Sequence, residues 1–233
     1  MKLPAIARSE QWAVNHFTAT KAVIEGSHLV LSSGDHAEIY LNADRIFPDA
    51  SRMAYFYDFW KDCFFSSSSP ERHPEVVVGP ATGGVYLIGG LSQRLIAQGI
   101  YVQAVWADKD GKQFALERSR FASTVRGKRV LVVEDVMTTA KSIKKTIKAV
   151  RQAGGEVVGV ACMVNQTRAV TVRSLDVPVL HVAWQLDVKN YSSKNCPFCA
   201  ENRPIVTNIG HGAEFQEKNP KYAGGYEELM FDD

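Results

Sequence analysis

Residues 130–142 read VLVVEDVMTTAKS. Four apolar residues lead into two adjacent carboxylates, Glu134 and Asp135, and then into a small hydroxyl-rich turn ahead of a basic, helix-forming stretch. Two like charges at the end of what reads as a buried strand are costly unless something binds them. The backbone amides of Thr138, Thr139, Ala140, Lys141 and Ser142, with a helix start behind them, can cradle a phosphate. The carboxylates cannot; they need hydroxyls or a metal. Taken alone, such a pair also fits a Mg²⁺ site, a phosphoacceptor or a solvated cap.

A second glycine-rich turn narrows the chemistry. PATGG (80–84) also follows a strand signal and offers exposed backbone amides to a second anionic group. Two anion cradles and a pair of carboxylates suited to a diol together suggest a ribose with a phosphate at each end.

These turns must be positioned by regular elements, and the hydrophobic pattern supplies them. EVVVGP (75–80), IYVQAVWA (100–107), KRVLVVED (128–135), EVVGVACMV (156–164) and VPVLHVAW (177–184) read as strands. VYLIGGLSQRLIAQG reads as a helix closed by Gly99, and KSIKKTIKAVRQAGG places Ile143, Ile147 and Val150 on one helical face ending at Gly154 and Gly155. Strands alternating with helices predict an α/β fold with a doubly wound, mainly parallel sheet. Ligands of such sheets bind beyond the carboxyl ends of the strands, where both turns lie.

With 233 residues, 45% of them hydrophobic and 22% charged, one large domain with short additions is expected. A net charge of +2 does not indicate a nucleic-acid binder. The chain shows no apolar run of about 18 residues and no secretory leader, so no membrane association and a cytoplasmic location are expected. Four cysteines are too few for a disulfide framework and are expected as free thiols.

VLVVEDVMTTAKS resembles the phosphoribosyl pyrophosphate (PRPP) signature of type I phosphoribosyltransferases, and the rest of the chain is similar to the orotate phosphoribosyltransferases over most of its length. GSHLVLSSGDHAEIYLN (26–42) resembles their N-terminal hairpin, VVVGPATGG their pyrophosphate loop, WADKDGKQFALERSRF (106–121) their mobile catalytic loop, and CPFCAENRPI (196–205) the tail of one bacterial subgroup. The resemblance implies a phosphoribosyltransferase domain over 1–211, with hood elements at about 1–45 and a core at about 75–190, before a tail over 212–233 whose role the sequence does not give.

It also implies roles. Glu134 and Asp135 would hold the ribose 2- and 3-hydroxyls. Val136, Met137 and the turn Thr138 to Ser142 would surround the 5-phosphate, and Thr82, Gly83 and Gly84 would meet the pyrophosphate. Lys109, Lys112 and Arg118 would neutralise the leaving group, with Lys109, Glu134 and Asp135 the catalytic residues. Tyr40, Thr138, Gln166 and Arg168 are the candidates for binding the base. Mg²⁺ is the implied cofactor, PRPP and a nucleobase, orotate favoured, the implied ligands, and a homodimer the implied assembly. Transfer to another nucleobase, or a PRPP-sensing protein that has lost turnover, are the alternatives.

Three features depart from the family pattern. Ala140 stands where glycine is usual, so a positive φ there would be strained. Ser32 and Asp35 stand where relatives frequently carry basic residues. Asn165-Gln166 replaces a common Asp-Arg pair whose arginine grips the orotate carboxylate, a charged bidentate contact that Gln166 cannot make; Arg168 stands two residues along.

Other features have simpler readings. The aromatic run AYFYDFW (54–60) is read as core or subunit interface, and the lysines of KSIKKTIK (141–148) as a solvated helix face. Cys196 and Cys199 form a single CxxC with only His211 near in sequence, and a structural turn is expected, with no metal site. His36, His73 and His181 are assigned no role.

Overall fold

The all-buried run Val76–Pro80 and the β-branched stretch around Val130, Leu131, Val132 and Val133 have no polar face, as strands covered on both sides require. In the computed structural model, which describes residues 5–31, 33–65, 73–111, 113–116 and 120–230, they form the centre of the main sheet.

The elements in chain order are α1 (Ala5–Ala19), β1 (Val23–Ile24), β2 (Leu29–Val30), β3 (His36–Ala37), β4 (Tyr40–Leu41), α2 (Ala50–Phe65), β5 (Val76–Pro80), α3 (Gly83–Ile96), β6 (Gln103–Asp110), β7 (Gln113–Ala115), α4 (Phe121–Val125) and β8 (Arg129–Met137). They continue with α5 (Lys141–Gln152), β9 (Glu156–Asn165), α6 (Val172–Leu175), β10 (Leu180–Gln185), β11 (Asn190–Tyr191), α7 (Pro197–Ala200), β12 (Ile205–Val206), α8 (Gly212–Lys218) and β13 (Tyr226–Glu227). Two compact units result, one of Met1–Ala19 with Ala43–Asp187, the other of Thr20–Asn42 with Val188–Asp233.

In the first unit the sheet order is β10-β9-β8-β5-β6-β7, parallel throughout except for the edge strand β7, which runs antiparallel to β6. This is the doubly wound, mainly parallel α/β sheet that the sequence predicts. From β5 the chain passes to β6 on one side and later to β8 on the other, so the sheet's switch point lies between β5 and β8. Strand ends shift slightly from expectation: β6 begins at Gln103, not at residue 100, and β8 runs on to Met137 because Val136 and Met137 still pair with Val164 and Asn165 of β9.

Helix α5 buries Ile143, Thr146, Ile147, Ala149 and Val150 and leaves Lys141, Lys144 and Lys148 exposed, so its basic residues form the outer face. Each buried Ile or Val contributes roughly 1.5–3 kcal/mol. The aromatic run lies in α2, where Phe56 and Trp60 are fully buried. Helix α3 accepts α2 closely at Gly90, where a side-chain carbon would lie 2.2 Å from the Tyr57 hydroxyl oxygen. Helix α1 is part of this unit, with the Phe17 ring 5.4 Å from Trp184 of β10. Of the expected hood over about 1–45, helix α1 and the residues from Ala43 belong to this unit and Thr20–Asn42 to the other.

The second unit is built from two-stranded and three-stranded pieces: β1 with β4, β11-β3-β2, and β12 parallel to β13. The stretch from Gly212 onward is integral to it and does not stand apart at 211/212. Strand β13 pairs with β12, Asn208 Nδ2 donates to the Leu229 carbonyl at 2.9 Å, and the Tyr222 hydroxyl donates to the Arg203 carbonyl at 2.8 Å. All four cysteines are free thiols. Among the described residues no helix is long and apolar enough to cross a membrane.

Candidate active site

Two loops leave the carboxyl ends of β5 and β8 on either side of the switch point. After β5, Ala81 donates its N–H to the Ala107 carbonyl at 2.9 Å, the Ala81–Thr82 peptide is cis, and α3 starts at Gly83. The turn is too tight for side chains. A carbon on Gly84 would fall 2.7 Å from Pro80 Cδ and 2.8 Å from the Gly79 backbone, and one on Gly83 would fall 2.6 Å from Asp135 Oδ2. That last distance brings the two sequence-predicted loops together.

After β8, Thr138, Thr139 and Ala140 turn the chain into α5. Ala140 adopts φ +56°, in the left-handed region, so the alanine at this position carries the strain anticipated from its type. Neither α3 nor α5 has a side-chain cap on its first amides, whereas the short α6 has a complete capping box between Thr171 and Ser174. Uncapped N–H groups at both helix starts leave donors and the positive dipole ends for anions.

Glu134 is 5% exposed, and its Oε2 has no hydrogen-bond partner among the described residues. Burial, and then the charge of Asp135, hold the Glu134 carboxyl well above the ordinary range despite a hydrogen bond from the Ser142 hydroxyl. Burial also raises the half-buried Asp135, against the pull of the Val136 N–H, which donates to Asp135 Oδ1 at 2.7 Å. Of the two carboxyls, Glu134 is thus the one held furthest from water and raised the more strongly, by burial first and by its neighbour's charge second. Two residues that sequence reading did not single out add to this field. Asp44 repels charge on Asp135, and the buried thiol of Cys162, opposite Glu134 on β9, is pushed up by burial and by both carboxylates. Cys162 could have been found from strand alternation; Asp44 had no sequence signal.

The remaining candidates are dispersed. Thr82 and Thr139 are exposed, Thr138 is half-buried, and Lys109 is exposed near the carboxyl end of β6, two residues past the register partner of Pro80. Lys112 and Arg118 lie outside the described residues, as does Ser32. Gln166 is 3% exposed, and its backbone N–H donates to the Met137 carbonyl at 2.8 Å, so it sits against the end of β8. Asn165 is committed to the loop: its Nδ2 donates to the Val170 carbonyl and to Gln185 Oε1, both at 3.0 Å. Arg168 has an 80% exposed side chain paired with Asp187 at 3.3 Å, away from the buried setting of Gln166. Tyr40 belongs to the second unit, where it packs against Ile24, Leu29, Val206 and Ile209.

Comparison with known proteins gives the family. The phosphoribosyl transferase domain family matches residues 61–192. Orotate phosphoribosyltransferase of Caldanaerobacter subterraneus is 35% identical over 190 residues, covering 79% of this chain and 89% of that protein. The chain belongs to the orotate phosphoribosyltransferase family. A second member, from Caldicellulosiruptor saccharolyticus, is 32% identical over 197 residues, or 83% of this chain and 93% of its own. Among solved structures, Mycobacterium tuberculosis orotate phosphoribosyltransferase superposes with a TM-score of 0.56 at 25% identity, covering 75% of this chain and 96% of its own. The enzyme from Aeropyrum pernix, at 23% identity and a TM-score of 0.56 over 74% of this chain and 92% of its own, shares the fold. In this family member the acidic pair and the glycine turn meet at the carboxyl ends of β8 and β5.

Proposed function

We propose that the protein transfers the ribose 5-phosphate group of PRPP to orotate with release of pyrophosphate, a step of pyrimidine synthesis. The observation that carries this reading is the approach of Asp135 to Gly83, which makes one crevice from a diol-binding carboxylate pair and two anion-binding helix starts.

In this reading the amides of Thr138 to Ser142 hold the 5-phosphate and those of Thr82, Gly83 and Gly84 hold the pyrophosphate. Glu134 and Asp135 accept hydrogen bonds from the ribose 2- and 3-hydroxyls. The bond from C1 of ribose to the pyrophosphate oxygen breaks as a bond from C1 to the ring nitrogen of the base forms. Positive charge grows on the sugar and negative charge on the leaving group, so orientation and cationic neutralisation carry the rate enhancement, and no protein nucleophile is needed. Lys109, with Lys112 and Arg118, supplies that neutralisation.

The site suits Mg²⁺: its donors are hard carboxylate oxygens, and Glu134 Oε2 is buried without a partner. Glu134 and Asp135 would hold the ion through the substrate's hydroxyls, and when bound it would supply charge neutralisation to PRPP. A homodimer, as the family resemblance implies, completes the reading.

A specific observation favours a second reading, transfer to another nucleobase. Gln166 occupies the buried position beside Met137 while Arg168 is engaged with Asp187 at the surface, so Arg168 does not stand in for an arginine at Gln166. Purified protein assayed for PRPP-dependent consumption of orotate against a panel of nucleobases tests both. Turnover of orotate supports the first reading and turnover of another base the second; PRPP binding without turnover of any base would leave a sensor.

A further inference from the structure

The hairpin of β2 and β3 and the segment around α7 meet, inside the second unit, at four side chains that the reaction does not use. His28 and His36 are 1% and 0% exposed and Cys196 3%, with Cys199 partly buried. One ligand atom from each lies within 4.8 Å of all the others. His28 Nε2 is 3.6 Å from Cys196 Sγ and 3.7 Å from Cys199 Sγ, and His36 Nδ1 is 3.4 Å from Cys199 Sγ and 2.7 Å from His28 Nε2.

We infer that His28 Nε2, His36 Nδ1, Cys196 Sγ and Cys199 Sγ form a structural zinc site. A tetrahedral ion with Zn–S of about 2.3 Å and Zn–N of about 2.0–2.1 Å has edges of roughly 3.6 Å between nitrogen and sulfur and roughly 3.3 Å between nitrogens. The three nitrogen–sulfur separations already match. The imidazoles, now at hydrogen-bond distance, move apart by roughly 0.6 Å when an ion replaces the proton between them.

The surroundings are those of a ligand set. His28 Nδ1 donates to the Arg203 carbonyl at 3.1 Å, which fixes the tautomer and leaves the Nε2 lone pair facing the cluster. His36 turns Nδ1 towards His28 Nε2 and Cys199 Sγ, so this is the nitrogen that would ligate, with the ring proton then on the buried Nε2. Rings of Phe198, Phe215 and Tyr222 pack at 5.6, 5.2 and 6.1 Å from these imidazoles and shield them from water. Four protein donors leave no open position, which makes the site structural, and two sulfurs with two nitrogens in a tetrahedron select zinc among the divalent ions.

The inference departs from the sequence reading of CxxC as a structural turn without a metal. The missing ligands come from the hairpin, as far as 171 positions away in the chain, while His211, the one histidine nearby in sequence, is half-exposed and paired with Glu214 at 3.0 Å. A unit whose strands are two residues long gains what it lacks in core from such a cross-link.

The test uses the untagged full chain, purified reduced from zinc-containing medium, with metal content measured by mass spectrometry. About one zinc per chain is expected, together with the visible bands of a tetrahedral thiolate site after replacement by cobalt(II). Cys199→Ser and His36→Ala should each lower zinc occupancy at least about tenfold, while Cys63→Ser and His211→Ala keep it. Because a ligand variant can misfold, the wild-type protein is also stripped with a chelator: its melting temperature should drop and recover with zinc but not with magnesium. Folded, reduced protein that takes up neither zinc nor cobalt, a Cys196–Cys199 disulfide in the protein as isolated, iron in place of zinc, or zinc retained in both ligand variants would each overturn the assignment.

Discussion

Asp135 and Gly83 stand so close that a side-chain carbon on Gly83 would lie 2.6 Å from Asp135 Oδ2. The contact joins the loop after β5 to the loop after β8, and it explains why a glycine opens α3: nothing larger leaves room for the carboxylate. Gly83→Ala should therefore push Asp135 off its position. We expect PRPP affinity to fall at least about tenfold, on the order of 1–3 kcal/mol for overpacking, with the far-ultraviolet circular dichroism unchanged. Titration calorimetry with PRPP and Mg²⁺ measures it; unaltered affinity would separate the two loops functionally.

Glu134 gives a pH signature. Its carboxyl is held well above the ordinary value of 4.5, so between that value and its own raised one the folded protein binds more protons than the unfolded chain. Stability from this group is full below the ordinary value and is lost as pH rises through the raised one. Glu134→Gln removes the loss. The variant should be more resistant to urea than the parent at pH about 8, lose that advantage towards pH about 4.5, and turn over PRPP poorly. A variant less stable than the parent at the higher pH would contradict the upward shift of the Glu134 carboxyl.

Ala140 holds a left-handed φ of +56° at the start of α5. Relief of roughly 1–2 kcal/mol of backbone strain in Ala140→Gly is partly offset by about 0.4–1 kcal/mol of added chain entropy in the unfolded state. A small net gain in urea midpoint, with PRPP binding equal or tighter, is the expected result. A loss of more than about 1 kcal/mol would show that the alanine methyl, buried in the core cluster, matters more than the strain.

Lys109, exposed near the end of β6, is proposed to act as pyrophosphate departs. Lys109→Ala should lower single-turnover rate more than it weakens PRPP binding, because charge that counts only in the transition state appears in kcat. Weakened binding with unchanged single-turnover chemistry would make the lysine a ground-state contact.

Much of this was legible in the chain because it is local. The strands from Val76 and from Arg129, the amphipathic α5 and the acidic pair are each written within about a dozen consecutive residues, and period and charge suffice to read them. What escaped reading depends on residues far apart. The division of the second unit between Thr20–Asn42 and the C-terminal segment has no composition signal, and the joining of His28 and His36 to the CxxC pair exists only once the hairpin is folded. The edge strand β7 is three residues long, below what alternation can reveal. Asn165 shows a different limit: its type read as a lost base contact, yet its amide is consumed by the loop it closes.

The most direct test of the central claim is kcat/KM for PRPP in orotate consumption, with pyrophosphate release followed in the same reaction, for the parent and for Asp135→Asn. An amide keeps the shape of Asp135 but offers one acceptor oxygen in place of two and no charge. The account predicts orotate turnover by the parent with one pyrophosphate released per orotate consumed, and a drop of about 10- to 100-fold in the variant, corresponding to roughly 1.5–3 kcal/mol for a lost charge-assisted contact. Equal kcat/KM in the two proteins would remove Asp135 from the site and contradict the account.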